Sequence, residues 1–251
     1  MVKKIFSIVI VLSLLSACNS NHRVKVSKKE YLTNHKSVLL TDLHLPKGLR
    51  NKLEAKEYIE ENVKTLFKEH GVVIHGPSVF NKEYEIQKRA VGGVYDPDTG
   101  EYDRKRSQLA EDRTLKVLQK KYGISSVLFY NVRVKGAKID NFRAEWDGRS
   151  EVYEANNSDL TNFLSSLVST THGTIGALSL TVFLHDMNDN EMYYGAGGLQ
   201  LVSKIDDDDK FIPVPADALL TDERLLKFSI NEAFRKLFGL KRIRNREINK
   251  I

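Results

Sequence analysis

Few residues in this chain have the type and spacing to do chemistry. Cys18 is the only cysteine, and it closes an apolar run from Ile5 to Leu15 through the small residues Ser16 and Ala17. A lone thiol has no disulfide partner within its own chain. Asp206, Asp207, Asp208 and Asp209 set four carboxylates side by side. Such a run can hold a divalent cation or a basic surface, but like charges resist burial, and a solvated loop is the simpler expectation. Asp96, Asp98 and Gly100 open like a calcium loop, yet Glu101 stands where that loop needs its glycine, so an ordinary turn is expected. His172 and His185 are the histidines that invite a catalytic role, and neither has a nucleophile at a motif spacing. Gly195, Ala196, Gly197 and Gly198 would let backbone approach a ligand, but without dinucleotide-motif spacing they predict a bulge or a tight crossing in a strand. The sequence carries no Gly-x-Ser-x-Gly elbow, no Ser-x-x-Lys, no His-Glu-x-x-His and no phosphate loop. No catalytic, metal or cofactor residue is therefore nominated.

The surroundings of Cys18 are more specific. Lys3 and Lys4, the apolar run and the small residues follow the order of an export signal. The run is about half the ~20 residues a membrane-spanning helix requires. Leu15, Ser16, Ala17 and Cys18 together resemble the lipobox of bacterial lipoproteins. That resemblance implies cleavage before Cys18, a diacylglycerol on its thiol and an acylated amino terminus. Several acyl chains at ~0.8 kcal/mol per buried methylene make a stable anchor where one is marginal. It also implies an outer-membrane address, because Asn19, not aspartate, follows the cysteine.

The formal charge of +6 falls to about +4 once Lys3 and Lys4 leave, a weak signal spread over many residues. Lys241, Arg242, Arg244, Arg246 and Lys250 crowd the end of the chain. They could touch anionic lipid or wall carboxylates, although a frayed, solvated tail is the plainer expectation. Without interleaved aromatics, nucleic acid is not an expected partner.

Apolar spacing then orders the elements that would position any site. Residues 18–36 are polar and basic and predict a tether. Val38, Leu39 and Leu40 begin a strand, and Leu53, Ile59, Val63, Leu66 and Phe67 predict a helix up to Gly71. Val72 to His75 is a second strand, followed by an irregular stretch with turns at Gly92, Gly93 and Asp96 to Gly100. A helix with Leu115, Leu118 and Tyr122 stops at Gly123 and feeds a strand over Val127 to Val134. Ser158 is placed to cap a helix carrying Leu160, Phe163, Leu164, Leu167 and Val168. Ala177 to Asp186 and Met192 to Val202 predict a hairpin, and Thr221 is placed to cap a last helix carrying Leu226, Ile230, Phe234 and Leu237. The fold class expected is α/β (α+β), a mixed sheet with helices packed on it. Its divisions are a signal at 1–17, the acylated tether at 18–36, one domain at 37–240 and a basic tail at 241–251.

The first strand and helix up to Gly71, the helix before Gly123, and the hairpin carrying Asp186, Asn188, Glu191, Tyr193 and Gly195 resemble a domain group of envelope proteins. That group comprises the amino-terminal domain of TolB, curli-type export lipoproteins and penicillin-binding-protein activator lipoproteins. Its members are non-catalytic scaffolds, so the resemblance implies a binding or assembly module with an envelope protein partner or self-assembly. Residues 138–172 lack the sustained alternation and aromatic girdles of membrane hairpins, which argues against a pore. The competing class is an envelope hydrolase acting on cell wall or glycan, with residues brought together only in three dimensions.

The lipobox reading has a direct consequence. Cys18→Ala should abolish incorporation of a labelled fatty acid that marks the parent chain. Equal labelling of the two would remove Cys18 as the anchor.

Overall fold

The computed structural model describes residues 21–140, 143–152, 173–205 and 211–250. The described elements are strand β1 (His22–Val24), helix α1 (Lys28–Asn34), β2 (Ser37–Leu40), α2 (Leu53–Glu69), β3 (Val73–His75), α3 (Pro77–Ala90), α4 (Arg104–Tyr122), β4 (Ser126–Asp140), β5 (Arg143–Trp146), β6 (Arg149–Val152), β7 (Thr174–Asp186), β8 (Glu191–Leu201), β9 (Ser203–Ile205), β10 (Phe211–Pro213) and α5 (Glu223–Phe238). The main sheet runs β1-β8-β7-β4-β2-β3, with β5 and β6 continuing from β4. β2 is parallel to both β3 and β4, and the remaining pairs are antiparallel. The expected mixed sheet with packed helices is the architecture observed.

Strand alternation divides the sheet into two faces. Leu40, Leu128, Leu180, Val182 and Leu184 point to one face, where they meet Phe67 of α2 and Ile230, Phe234 and Leu237 of α5 in the largest apolar cluster. Phe67 stands edge-on to Phe234 and Phe238, with ring centroids 5.6 and 5.0 Å away. Leu39 and Val127 point the other way, against Leu118 of α4 and Ile124. A third cluster of Ala137, Ala144, Trp146, Ile175, Ala177 and Leu201 forms where β4, β5, β7 and β8 curl together. There the turn between β5 and β6 reaches the edge of β8, and Gly198 N–H donates to the Asp147 carbonyl at 2.9 Å.

Five local expectations change. The segment expected as a tether over 18–36 is folded from His22 onward, and Tyr31 is completely buried. Three residues of edge strand need no apolar period of their own, because β8 supplies their pairing. α1 is stabilised by a capping box in which Ser27 and Glu30 satisfy each other's backbone N–H. The stretch after His75 is helix α3, with Pro77 in its first turn. β4 runs on to Asp140, because β7 pairs with it rung by rung from Ser126 to Lys138. Thr221 does not cap α5. Asp222 does, accepting from Arg224 N–H at 3.0 Å. Within the basic tail, a short 3-10 helix (Asn245–Lys250) buries Ile248, so that end of the chain packs and does not fray. The helix expected behind Ser158, His172 and the carboxylates Asp206 to Asp209 lie outside the described residues. Gly195 and Gly197 explain the glycine cluster. A Cβ on either would fall well inside contact distance of the Ala233 and Ser229 carbonyl oxygens of α5, so the tight crossing is helix on strand.

That close approach brings a polar network into the protein interior. His22 Nδ1 lies 2.9 Å from the Tyr193 hydroxyl, which donates to the Ala233 carbonyl at 2.7 Å. His22 Nε2 lies 3.3 Å from Glu232, whose carboxylate also accepts two bonds of 2.9 Å from Arg235. Burial by itself would raise the Glu232 carboxyl, but hydrogen bonds from His22 and Arg235 and the charge of Arg235 hold it down at about 2.

Because its folded value lies below the ordinary carboxylate range, Glu232 contributes stability that is complete above about pH 4.5 and disappears as the pH falls towards about 2. Glu232→Gln should be less stable than the parent at neutral pH in denaturant titrations, and the difference should close as the pH falls through that window. A difference constant with pH would show that the charge of Glu232 is not what stabilises the network.

Candidate functional site

The topology marks one place where a site is expected. From β2 the chain crosses by α2 on one face to β3, and returns by α3 and α4 on the other face to β4. The carboxyl end of β2 is thus a switch point, where helices diverge and leave a crevice. A cleft of about 660 Å³ opens there. Its floor is Leu39, Leu40 and Val127, and Thr41, Asp42 and His44 follow directly from β2. Phe80 and Asn81 come from α3, and Ser107, Gln108, Glu111 and Asp112 from α4. The far wall is Phe129 of β4 with His185, Asp186 and Asp189 at the tip of the β7–β8 hairpin.

Three features give the cleft its chemistry. Phe129 remains 41% exposed and Tyr102 56% exposed, a large apolar allowance for rings in contact with water. Phe129 meets His185 edge-on at 5.6 Å. Asp42, Glu111, Asp112, Asp186 and Asp189 face Arg104 and two histidines, so carboxylates dominate on a chain that is basic overall. Two of them are already committed. Asp186 accepts from the backbone N–H groups of Asn188 and Asn190 at 2.8 and 2.9 Å, which closes the hairpin turn. Its carboxyl is raised by burial and lowered further by these bonds and the Asn190 side chain, for a net value below the ordinary range. Asp189 lies 2.7 Å from His185 Nδ1.

Ser107 is the hydroxyl in the cleft best placed to imitate a nucleophile. Its Oγ donates to Glu111 at 3.3 Å and lies 3.2 Å from the Tyr84 hydroxyl. No hydrogen bond joins it to His185 among the described residues. No group of three or more His, Cys, Asp and Glu side chains is arranged to hold a metal ion among the described residues.

Of the residues singled out in the sequence, His185 is in this cleft, Gly195 to Gly198 lie elsewhere as packing positions, and Asp96 to Gly100 form a turn in which Asp96 accepts from Asp98 and Thr99. Cys18 lies outside the described residues. Asp42, Phe129, Glu111 and Asp112 carried no local signal, since they converge only through the crossover. The i, i+4 spacing of Ser107 and Glu111 and of Gln108 and Asp112 on one helix was the available hint.

A second concavity, a groove of about 590 Å³, lies at the opposite end of β4. It is framed by Asn21, residues 135–138 and 145–150, and the chain after α5.

No protein-family model matches the chain, and no curated relative matches it. Among solved structures it is similar to PelC, described as a dodecamer, from Paraburkholderia phytofirmans, in two crystal forms. One, a point variant, has a TM-score of 0.35 with 9% identity, covering 86% of this chain and 96% of that one. The other has a TM-score of 0.34 with 9% identity, covering 86% of this chain and 94% of that one.

Proposed function

We propose that the chain is an acylated cell-envelope lipoprotein, held to the outer membrane through Cys18 and facing the periplasm, where it acts as a non-catalytic binding or assembly module. The lipobox residues support the anchor, and the resemblance to scaffold domains of envelope lipoproteins supports the module. The observation that carries the binding reading is the lining of the cleft at the end of β2. Exposed rings of Phe129 and Tyr102 stand beside Asp42, Glu111 and Asp112. An aromatic face and a carboxylate together attract a cationic group with an apolar stem, as lysine and arginine side chains have. The partner that fits is therefore a basic segment of an envelope protein.

A photoreactive residue at Gln108, on the cleft wall, should yield a discrete crosslinked product in intact cells. The same residue at Lys116, on the exposed side of α4, should not. Glu111→Gln with Asp112→Asn should reduce the Gln108 yield about threefold to tenfold, since exposed charge pairs contribute ~0.2–1 kcal/mol each. Equal yields from both positions, or a Gln108 product indifferent to the two carboxylates, would remove the cleft as the binding site.

A further inference from the structure

We infer that the groove beside β1 is an anion site that seats the phosphate of an anionic phospholipid headgroup in the membrane to which the chain is anchored. Arg23, Lys135, Lys138, Arg149 and Arg242 line it, against Glu145 and Asp147. Some of this charge is internally engaged. Lys135 pairs with Asp147 at 2.8 Å, and Arg23 with Glu191 at 2.8 Å. Lys138 and Arg242 make no ion pair among the described residues.

Arg149 is the informative member. Its side chain is only 9% exposed, and its Nε and Nη2 are directed to Glu151 at 3.3 and 3.0 Å. Its Nη1 is buried and has no hydrogen-bond partner among the described residues. A guanidinium cannot shed its charge, and a buried donor left unsatisfied is unfavourable. Gly198 makes room for this arrangement, because a Cβ there would lie 2.6 Å from Arg149 Cβ and 2.8 Å from Trp146 Nε1. A phosphate entering beside Arg149 would give Nη1 its missing acceptor while Nε and Nη2 stay on Glu151, with Lys138 and Arg242 as further positive charges in the lining.

The source of the phosphate follows from where the chain leads. Asn21 itself lines the groove. Two residues, Asn19 and Ser20, separate it from Cys18, three Cα steps that span at most ~11 Å fully extended. If Cys18 is acylated as proposed, the groove opens at headgroup level, so the choice of a lipid source rests on that anchor. The anion chemistry rests on the groove alone.

The test uses the chain from residue 18 without its acyl group, which retains every described element. Sedimentation is measured with vesicles of phosphatidylcholine alone and of phosphatidylcholine with about one third phosphatidylglycerol. Binding should be at least about tenfold tighter to the second and should fall about tenfold or more in Lys138→Gln with Arg242→Gln, since each such charge near an anionic surface is worth roughly fivefold. Lys116→Gln with Lys120→Gln, removing equal charge from α4, should change it less than about twofold. Arg149→Lys, which keeps the charge and loses the guanidinium Nη1 donor, should also weaken binding. If that variant does not fold, the Lys138 and Arg242 pair still decides. Equal binding to both vesicles, or equal losses in the groove and α4 variants, would overturn the site. Saturable binding of inorganic phosphate without any vesicle preference would overturn the membrane source. Vesicle binding in a chain whose Cys18 is found unlabelled in cells would support the groove while removing the anchor.

Discussion

The structure depends on how closely α5 lies on β8. Gly195 and Gly197 present bare backbone to the helix, and the Ser229 and Ala233 carbonyl oxygens occupy the space that side chains would take. Ser229 Oγ donates to the Gly197 carbonyl at 2.7 Å, and the Tyr193 hydroxyl donates to Ala233. Glycine in a strand costs roughly 0.5–1 kcal/mol relative to alanine, so the pair is tolerated because it admits the helix. At this separation Phe234 and Leu237 reach the sheet, and Glu232 reaches His22 of β1. Glu232 also closes on the β5–β6 turn, where a Cβ on Gly148 would lie 2.7 Å from its Cγ. One helix–strand contact thus fixes the apolar core, the first strand of the domain and the hairpin that carries Arg149.

The two concavities lie towards opposite ends of β4. The acidic, aromatic cleft lies near Val127 and Phe129 of β4, and the basic groove near Lys135 and Lys138. From Phe129 to Lys138 an extended strand covers about 30 Å. Between them the Phe183 and Tyr194 rings meet at 5.0 Å, tilted by 54°, with Arg133 over Phe183 and Arg23 over Tyr194. On the proposed reading, this separation of charge orients the molecule. Its cations sit by the anchor and face headgroups, and its carboxylates are held away from the membrane for a partner. Folding from His22 onward matters here, because a long tether would leave that orientation undefined.

The sequence was most legible where burial is one-sided and sustained. Leu178, Leu180, Val182 and Leu184 alternate against solvent or a second layer, and Ile230, Phe234 and Leu237 recur at helical spacing, so both stripes were readable and do share one core. β1 and α3 were not readable by pattern. β1 gains its place from pairing with β8, and α3 is a half-exposed helix whose Val79 and Phe80 are sparse anchors. The Ser27 and Glu30 capping box was a missed local signal for α1. Neither concavity could have been assembled from spacing, since the cleft needs the reversal of crossover direction at β2 and the groove needs β5 and β6 to curl back onto β8. The glycine cluster was legible as a close approach, but not as an approach by α5.

Hydrogen exchange on the Gly197→Ala chain tests this dependence most directly. A methyl group there cannot avoid the Ser229 carbonyl by rotating. Protection of amides in α5, in β1 and in the hairpin of β5 and β6 should therefore fall together by about a hundredfold or more, equivalent to ~3 kcal/mol. Protection in β1 and the hairpin that stays at the parent level, with or without a loss in α5, would contradict the claim that this one contact holds all three in place.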